Sequence, residues 1–498
     1  MTTEGRRLAP GQGWVLALSS VASFMVSLDS QVVATALPVI RVQLHASLAA
    51  LEWTVNAYTL SFAVLLMTGS ALGERFGRRR MLAAGIGLFG AASVVCALAP
   101  DVGVLVAARA VQGAGAAVVL PTALALLSAG FPPQRRAWAI GIFSSVTGLA
   151  VVSGPVVGGA VAQGLAWQWI FWLNVPLGVI MLPLVLTKLA DGSAARARLA
   201  DGSARLDPVR LDLAGLVLVT GAALSLVWAL IRAGDIGWGS PEIIATLAGG
   251  FGLGVLFAGW ELRTATPMVP PRFFRQPAFA AGNAAGLCLF AGLFGMVFFM
   301  AQFLQTGLGY GPFGAGLRLV PGWVLLALIA PFAGTLIRRF GERVLIAGGL
   351  TMLAAGLTWM GLIARTGLPY PDMIAPLVLA GAGASLVVPS AQSVVMTAVS
   401  PADIGKASGT FNMLRQLGAV FGIAICAAVF TAHGGYRSPA AFISGFGPAM
   451  YTCAGVAVAG AMAGLLIPRR RAAVAPPSAA DSPAPETTPA PGTLASSR

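Results

Sequence analysis

Long apolar runs, separated by short polar clusters, dominate this chain. A helix needs about 20 apolar residues to cross a bilayer. Fourteen runs reach that length, near 14–40, 53–73, 81–100, 102–128, 138–162, 167–187, 211–232, 242–262, 278–304, 315–337, 344–363, 373–398, 407–431 and 442–467. The pattern therefore predicts an all-α membrane protein with 14 transmembrane helices. Arg6, Arg7 and Ala34-Thr35-Ala36 give the first run some look of a signal peptide. The run is too long for one and carries Asp29 in its middle, so it reads as a span.

An internal repeat organises the spans. Leu72-x-x-Arg75-Phe76-Gly77-x-Arg79 recurs as Leu336-x-x-Arg339-Phe340-Gly341-x-Arg343, an offset of 264. Gly113-Ala-Gly115-Ala and Pro121 recur as Gly381-Ala-Gly383-Ala and Pro389, while Gly141 and Gly154 recur as Gly409 and Gly422, all at an offset of 268. The offset exceeds what six helices need by about two spans. The reading is an N-terminal six-helix bundle over 14–187, an inserted helix pair over 211–262 and a C-terminal six-helix bundle over 278–467. Parallel repeats of this kind place a substrate site at their interface. Residues 1–13 are a short leading segment. Residues 188–210 repeat Ala-Asp-Gly-Ser-Ala at 190–194 and 200–204 and read as a linker, and residues 472–498 as a disordered Pro/Ala/Ser/Thr tail.

Composition agrees. Apolar residues make up 57% of the 498 and charged residues 10%, against roughly 25% charged in soluble chains. The net charge of +14 sits in short clusters between apolar runs, which sets membrane topology rather than binding nucleic acid. Placing both termini in the cytoplasm puts most of the 31 basic residues on the inner side. Cys96, Cys288, Cys426 and Cys453 fall in apolar runs without metal-ligand spacing and read as small core residues. His45 and His433 fall in outer loops. Gly85-x-Gly87-x-x-Gly90 lies inside a span with no preceding strand, and Gly405-Lys406-Ala407-Ser408 lacks the hydroxyl and leading glycine of a P-loop. No cofactor, metal or ATP site is expected, so an ion or substrate gradient must supply the energy.

The candidate chemistry is sparse. Asp29 is the only carboxylate deep within an apolar run, and Arg109 the only cation inside the fourth, at broadly similar depth. Intramembrane ionisable groups mark ion pathways, and a carboxylate taken out of water can take up a proton near neutral pH. Asp29 is thus a candidate proton carrier tuned by Arg109, the alternative being a static ion pair. Gln112 lies at i+3 from Arg109 on the same helix face. The matching positions of the second half fall near Leu293 and Leu377, so the charge is confined to the first half. Gly73, Glu74, Arg75, Gly77, Arg78 and Arg79 form a tight basic loop in which Glu74 can pair with an arginine as a conformational latch. The alternative is a cluster that only sets topology. Gly148, Gly154, Pro155, Gly158 and Gly159 form a close-packing and kink element. Asn56, Asn412, Arg415 and Gln416 are candidates for the substrate cavity. Phe290, Phe294, Phe298 and Phe299 face either the cavity or lipid.

These motifs resemble the major facilitator superfamily, and within it the fourteen-span drug:proton antiporter branch, over roughly 14–467. Leu28-Asp29-x5-Ala36-Leu37-Pro38 is similar to that branch's first-helix signature, and Trp53-x3-Ala57-Tyr58-x-Leu60 fits its second helix. Gly73-Glu74-Arg75-Phe76-Gly77-Arg78-Arg79 resembles the superfamily loop motif. Arg109-x2-Gln112-Gly113-x-Gly115 resembles the motif linked to proton transfer, and Gly154-Pro155-x2-Gly158-Gly159 the antiporter motif. Trp167-Gln168-Trp169-Ile170-Phe171-x2-Asn174-Val175-Pro176-x-Gly178 looks like the sixth-helix signature. Glu74 stands where Asp is usual, Ser70 where Gly is common and Gln168 where Arg is usual. The resemblance implies a non-enzymatic, proton-coupled antiporter in a bacterial cytoplasmic membrane. It would be a monomer with the bilayer, protons and a small organic molecule as its partners, exporting drug-like or antibiotic compounds by alternating access. A symporter or uniporter for a small metabolite, or a non-transporting sensor on the same scaffold, is the alternative.

Overall fold

The computed structural model describes residues 11–189, 212–329 and 332–468. Among them no strand occurs. Thirteen helices are long and apolar enough to cross a membrane. In the first half these are α1 (Gln12–Gln43), α2 (Leu48–Phe76), α3 (Arg78–Ala97), α4 (Val102–Gly130), α5 (Pro133–Gly164) and α6 (Trp169–Lys188). Next come α7 (Leu213–Ile236) and α8 (Pro241–Arg263), then α9 (Pro277–Gln302). The stretch expected as the tenth span, 315–337, is seen as two helices, α10 (Pro312–Ile329) and α11 (Ala333–Phe340), flanking two residues outside those described. The described residues therefore establish thirteen of the expected fourteen spans. The chain closes with α12 (Glu342–Ile363), α13 (Tyr370–Thr397), α14 (Ile404–His433) and α15 (Pro439–Leu465). The expected linker and tail fall almost wholly outside the described residues.

Helix ends follow local chemistry. The side chains of Ser47, Asp101, Asp212 and Ser438 accept hydrogen bonds from backbone N–H groups of the first turns of α2, α4, α7 and α15, satisfying donors that a helix start leaves open. The α2–α3 and α11–α12 corners turn at Gly77 (φ 95°) and Gly341 (φ 77°), a left-handed backbone that glycine adopts without a Cβ clash. These two residues are repeat mates.

The repeat is also visible in the packing. A Cβ on Gly113 would strike the Tyr58 carbonyl of α2, and one on Gly381 the Gly322 carbonyl of α10. Gly115 lies against Gly85 and Phe89 of α3, and Gly383 against Gly349 and Leu353 of α12. Gly154 closes on Gln31 of α1, and Gly422 on Ala291 of α9. These three repeated pairs thus permit the same close approach in their own halves, as expected where small residues rather than hydrophobic exclusion bring helices together, whereas Gly141 faces open space and Gly409 meets Met67 of the first half. Helices α1–α6 form one bundle and α9–α15 the other. Helix α7 packs on α8 and touches both α2 and α14. Trp53 and Trp228 meet with centroids 5.9 Å apart, and Gly234 abuts Thr431. Helix α8 makes few contacts beyond α7 and leaves Phe251, Val255 and Leu256 exposed.

A Gly69→Val substitution should press its side chain into the Ala117–Val118 backbone of α4 and cost about 1–3 kcal/mol. Gly87→Val, which faces open space, should stay within about 0.5 kcal/mol. Thermal unfolding of the detergent-purified protein separates the two.

Candidate functional site

Five helices of the first half converge on one carboxylate. Asp29 of α1 and Arg109 of α4 are each 1% exposed and Gln112 is 0%, so none of them meets bulk water. Arg109 Nη1 donates to Asp29 Oδ2 at 2.5 Å and to Gln112 Oε1 at 2.7 Å. Arg109 Nε donates to the Thr54 carbonyl of α2 at 3.2 Å. Gln112 Nε2 donates to Asp29 Oδ1 at 2.9 Å and to Ser93 Oγ of α3 at 2.8 Å. The Tyr58 ring carries the guanidinium 4.1 Å above its centroid. A buried ion pair is tolerable only when the remaining polar valences are filled, and here both carboxylate oxygens are.

The last partner is Asn174, whose Nδ2 donates to Asp29 Oδ1 at 2.8 Å. It was not among the expected site residues, although it lies in the quoted α6 signature. The backbone bonds of α6 are interrupted between Trp172 and Asn174, and Asn174 is a fully buried amide just after that irregularity. An isolated amide within a span was the available signal.

Beside this network lies a cavity of about 230 Å³ between the two halves. Its wall takes Ser27, Ser30 and Gln31 from α1, Tyr58 and Phe62 from α2, and Arg109 from α4. From the other half it takes Phe290, Phe294 and Phe298 of α9, Trp323 of α10, and Arg415 and Gln416 of α14. Leu293 and Leu377, the counterparts of the charged pair, also face it. Asp29 does not; it stands behind Arg109. Of the four expected cavity residues, Arg415 and Gln416 line the wall. Asn412 and Asn56 are not in it: Asn412 donates back to its own helix at Ser408, and Asn56 is fully buried in α2. Phe299 packs on Phe430 with centroids 4.8 Å apart instead of facing cavity or lipid.

The Gly73–Arg79 loop binds within its own half. Gly73 sits against Thr122 of α4. Arg78 donates to the Ala125 carbonyl, and Arg79 donates to those of Leu186 and Leu189, each at 3.1 Å; the carbonyls that end a helix attract cations. Arg75 stands beside the Phe76 ring. Glu74 is exposed and forms no ion pair among the described residues, so the expected pairing is not made in this conformation.

Helix α5 is a seam. Gly154 and Gly158 let it close on α1, while Gly159 meets Pro312 of α10 and Gly316 of α10 meets the Pro155 carbonyl. Gly148 faces open space. The seam lies toward the helix ends opposite the basic loops. On that same side Gln305 donates to the Thr35 carbonyl at 2.9 Å, Phe313 N donates to Gln163 Oε1 at 3.1 Å, and Arg41 stands 4.0 Å above the Tyr436 ring. Gln305 reaches across from a π-helical turn, Phe303–Gly307, an irregularity frequent at functional sites. The halves are thus closed against one another at the face away from the basic loops.

The sequence profile of the Major Facilitator Superfamily matches residues 19–423 and also 284–496. The chain belongs to this superfamily. It is 36% identical over 437 residues to the cephamycin export protein CmcT of Amycolatopsis lactamdurans, covering 87% of this chain and 88% of that one. It is 35% identical over 418 residues to the multidrug resistance protein Stp of Mycobacterium tuberculosis, covering 84% and 75%. It is 34% identical to a tetracenomycin C resistance and export protein of Streptomyces glaucescens, covering 83% and 75%. Among solved structures, a POT family transporter in complex with 5-aminolevulinic acid superposes with a TM-score of 0.65 at 14% identity, covering 90% of this chain and 94% of that one. A bacterial homologue of the lysosomal transporter Spinster, inward-facing and unoccupied, gives 0.64 at 17%, covering 93% and 98%. The superfamily fold is two six-helix bundles, here with an added helix pair, and its members are multi-pass membrane transporters of small molecules rather than enzymes.

Removing Arg109 leaves a buried carboxylate without its counter-ion, so Arg109→Leu should cost about 3–5 kcal/mol. Adding Asp29→Asn should recover part of that loss. Asn174→Ala, which removes one of three donors to Asp29, should cost about 1–3 kcal/mol. Thermal unfolding of the four purified proteins gives the comparison.

Proposed function

We infer that this transporter is a proton-coupled antiporter. It exports drug-like or antibiotic organic compounds across the cytoplasmic membrane by alternating access, with both termini in the cytoplasm. The observation that carries the reading is a buried carboxylate, Asp29, whose cation also forms part of the cavity wall. Asp29 and the cavity share Arg109, so protonating Asp29 frees the guanidinium from its strongest partner and changes the wall that cargo meets. Cargo occupying the wall can in turn bias the pair back. That reciprocity is what a coupled exchange requires.

The rest of the molecule is consistent with this cycle. The basic loops orient their face toward the cytoplasm, so the glycine seam and its polar contacts close the outer side. Glu74 forms no ion pair among the described residues, so it adds no latch to the inner side in this conformation. A proton taken up while the outer side is open then favours the outer closure seen here, and its release to the cytoplasm with cargo loading reverses that closure and brings contacts to the loop. The relatives named for cephamycin export, tetracenomycin C export and multidrug resistance support organic cargo moving outward. One elementary charge moving through 100 mV releases about 2.3 kcal/mol. At about 1.4 kcal/mol per decade, one electrogenic exchange sustains roughly a fortyfold gradient without ATP.

In everted vesicles loaded with a fluorescent pH probe, adding a transported compound should release stored protons from the wild type. Asp29→Asn should bind the compound and release none. Full proton movement from Asp29→Asn, or none from the wild type with any bound compound, would overturn the antiport reading in favour of a static ion pair.

A further inference from the structure

We propose that the cavity selects aromatic compounds that carry negative charge, and that Arg415 receives the anionic group. This rests on the export reading above and narrows its cargo.

Two guanidinium groups touch the cavity. Arg109 is engaged by Asp29, Gln112 and the Thr54 carbonyl. Arg415 makes no hydrogen bond or ion pair among the described residues, and its Nε is buried without a partner. Its one neighbour of note is Phe290, whose ring centroid lies 4.8 Å from the guanidinium carbon. Arg415 is partly exposed, with its Nε covered; a guanidinium at a cavity wall without a counter-charge is incompletely paired, and a cation–π contact makes up only part of that deficit. No Asp or Glu stands in the wall. The one nearby carboxylate, Asp29, lies behind Arg109 with both oxygens occupied.

The missing counter-charge is therefore one that cargo would bring. A guanidinium presents five donors in a planar fork that matches a carboxylate or enolate in bidentate fashion. Gln416, next to Arg415, and Gln31 on the facing α1 add amide groups to the same wall. Phe294 and Trp323 supply flat apolar surface for rings. A lipophilic cation would meet positive side chains and no carboxylate, which builds discrimination into the wall. An anion leaving in exchange for an entering proton also moves two elementary charges in the same electrical sense, so the membrane potential acts on both limbs.

Fluorescein and rhodamine 123 share a xanthene core and carry opposite charge at pH 7.5, which makes them a matched pair. By fluorescence anisotropy on the full-length purified chain, fluorescein should bind the wild type at least tenfold more tightly than rhodamine 123. Arg415→Gln should erase that difference, and Arg415→Lys should retain part of it. Equal or tighter binding of rhodamine 123 by the wild type overturns the proposal without needing any variant to fold. Unchanged fluorescein affinity in Arg415→Gln overturns it as well. In everted vesicles the two readings separate. Protons moved by rhodamine 123 and not by fluorescein would sink the charge preference and leave antiport standing. Arg415-dependent binding of fluorescein, with no dye moving protons, would sink antiport and leave the charge preference standing.

Discussion

The buried Asp29–Arg109 ion pair ties the first half of this molecule together. A charge placed between helices, away from water, must be matched by a counter-charge and by donors to each oxygen. Asp29 draws its counter-charge from α4 and its donors from α4 and α6. Arg109 and Gln112 then draw on α2 and α3 for the Thr54 carbonyl and the Ser93 hydroxyl. Helix α5 stands outside the network yet packs against α1 through Gly154 and Gly158. The charged carboxylate is thus tied to four neighbouring helices, directly or through Arg109 and Gln112.

The second half differs at the matching positions. Where the first half places charge, the second places Leu293 and Leu377, and its interior is built of aromatic contacts such as Phe299 on Phe430 and Phe303 on Phe446, centroids 4.3 Å apart in the latter. The two halves repeat one another in backbone and in close-packing glycines while differing in chemistry. Helices α2 and α14 join the halves through apolar side chains such as Leu60, Val64, Met413 and Leu417, while closure at the face away from the basic loops uses a backbone seam and a handful of polar contacts. Such contacts are individually weak, so the closure can be undone by a modest change elsewhere.

The spans, the repeat and the Asp29–Arg109–Gln112 cluster were legible in the sequence because each leaves a local or periodic mark: run length, a fixed offset, a charge where charge is rare. Asn174 was harder to see, since a single amide gives no hint of its partner until α6 is placed against α1. Asn56 and Asn412 share the polarity of Gln416 but not its side of the bundle, and helical phase relative to a neighbour is not written in composition. Glu52, Glu261 and Glu342 lie near helix ends yet are 2%, 3% and 5% exposed; tertiary packing, not position in an apolar run, covers them. The π-helical turn at Phe303–Gly307 likewise has no simple signature.

The inserted helix pair has a geometric consequence. Helix α7 lies against both α2 and α14, the helices that border the cavity on one flank, and α8 lies beyond it. The opposite flank is bordered by α5 and α10 and, among the described residues, carries no extra helix. The belt around the central chamber is therefore buttressed on one side only. A compound in the surrounding lipid meets two helix layers at α2 and α14 and one at α5 and α10, so the insertion breaks the rotational pseudosymmetry of the two halves.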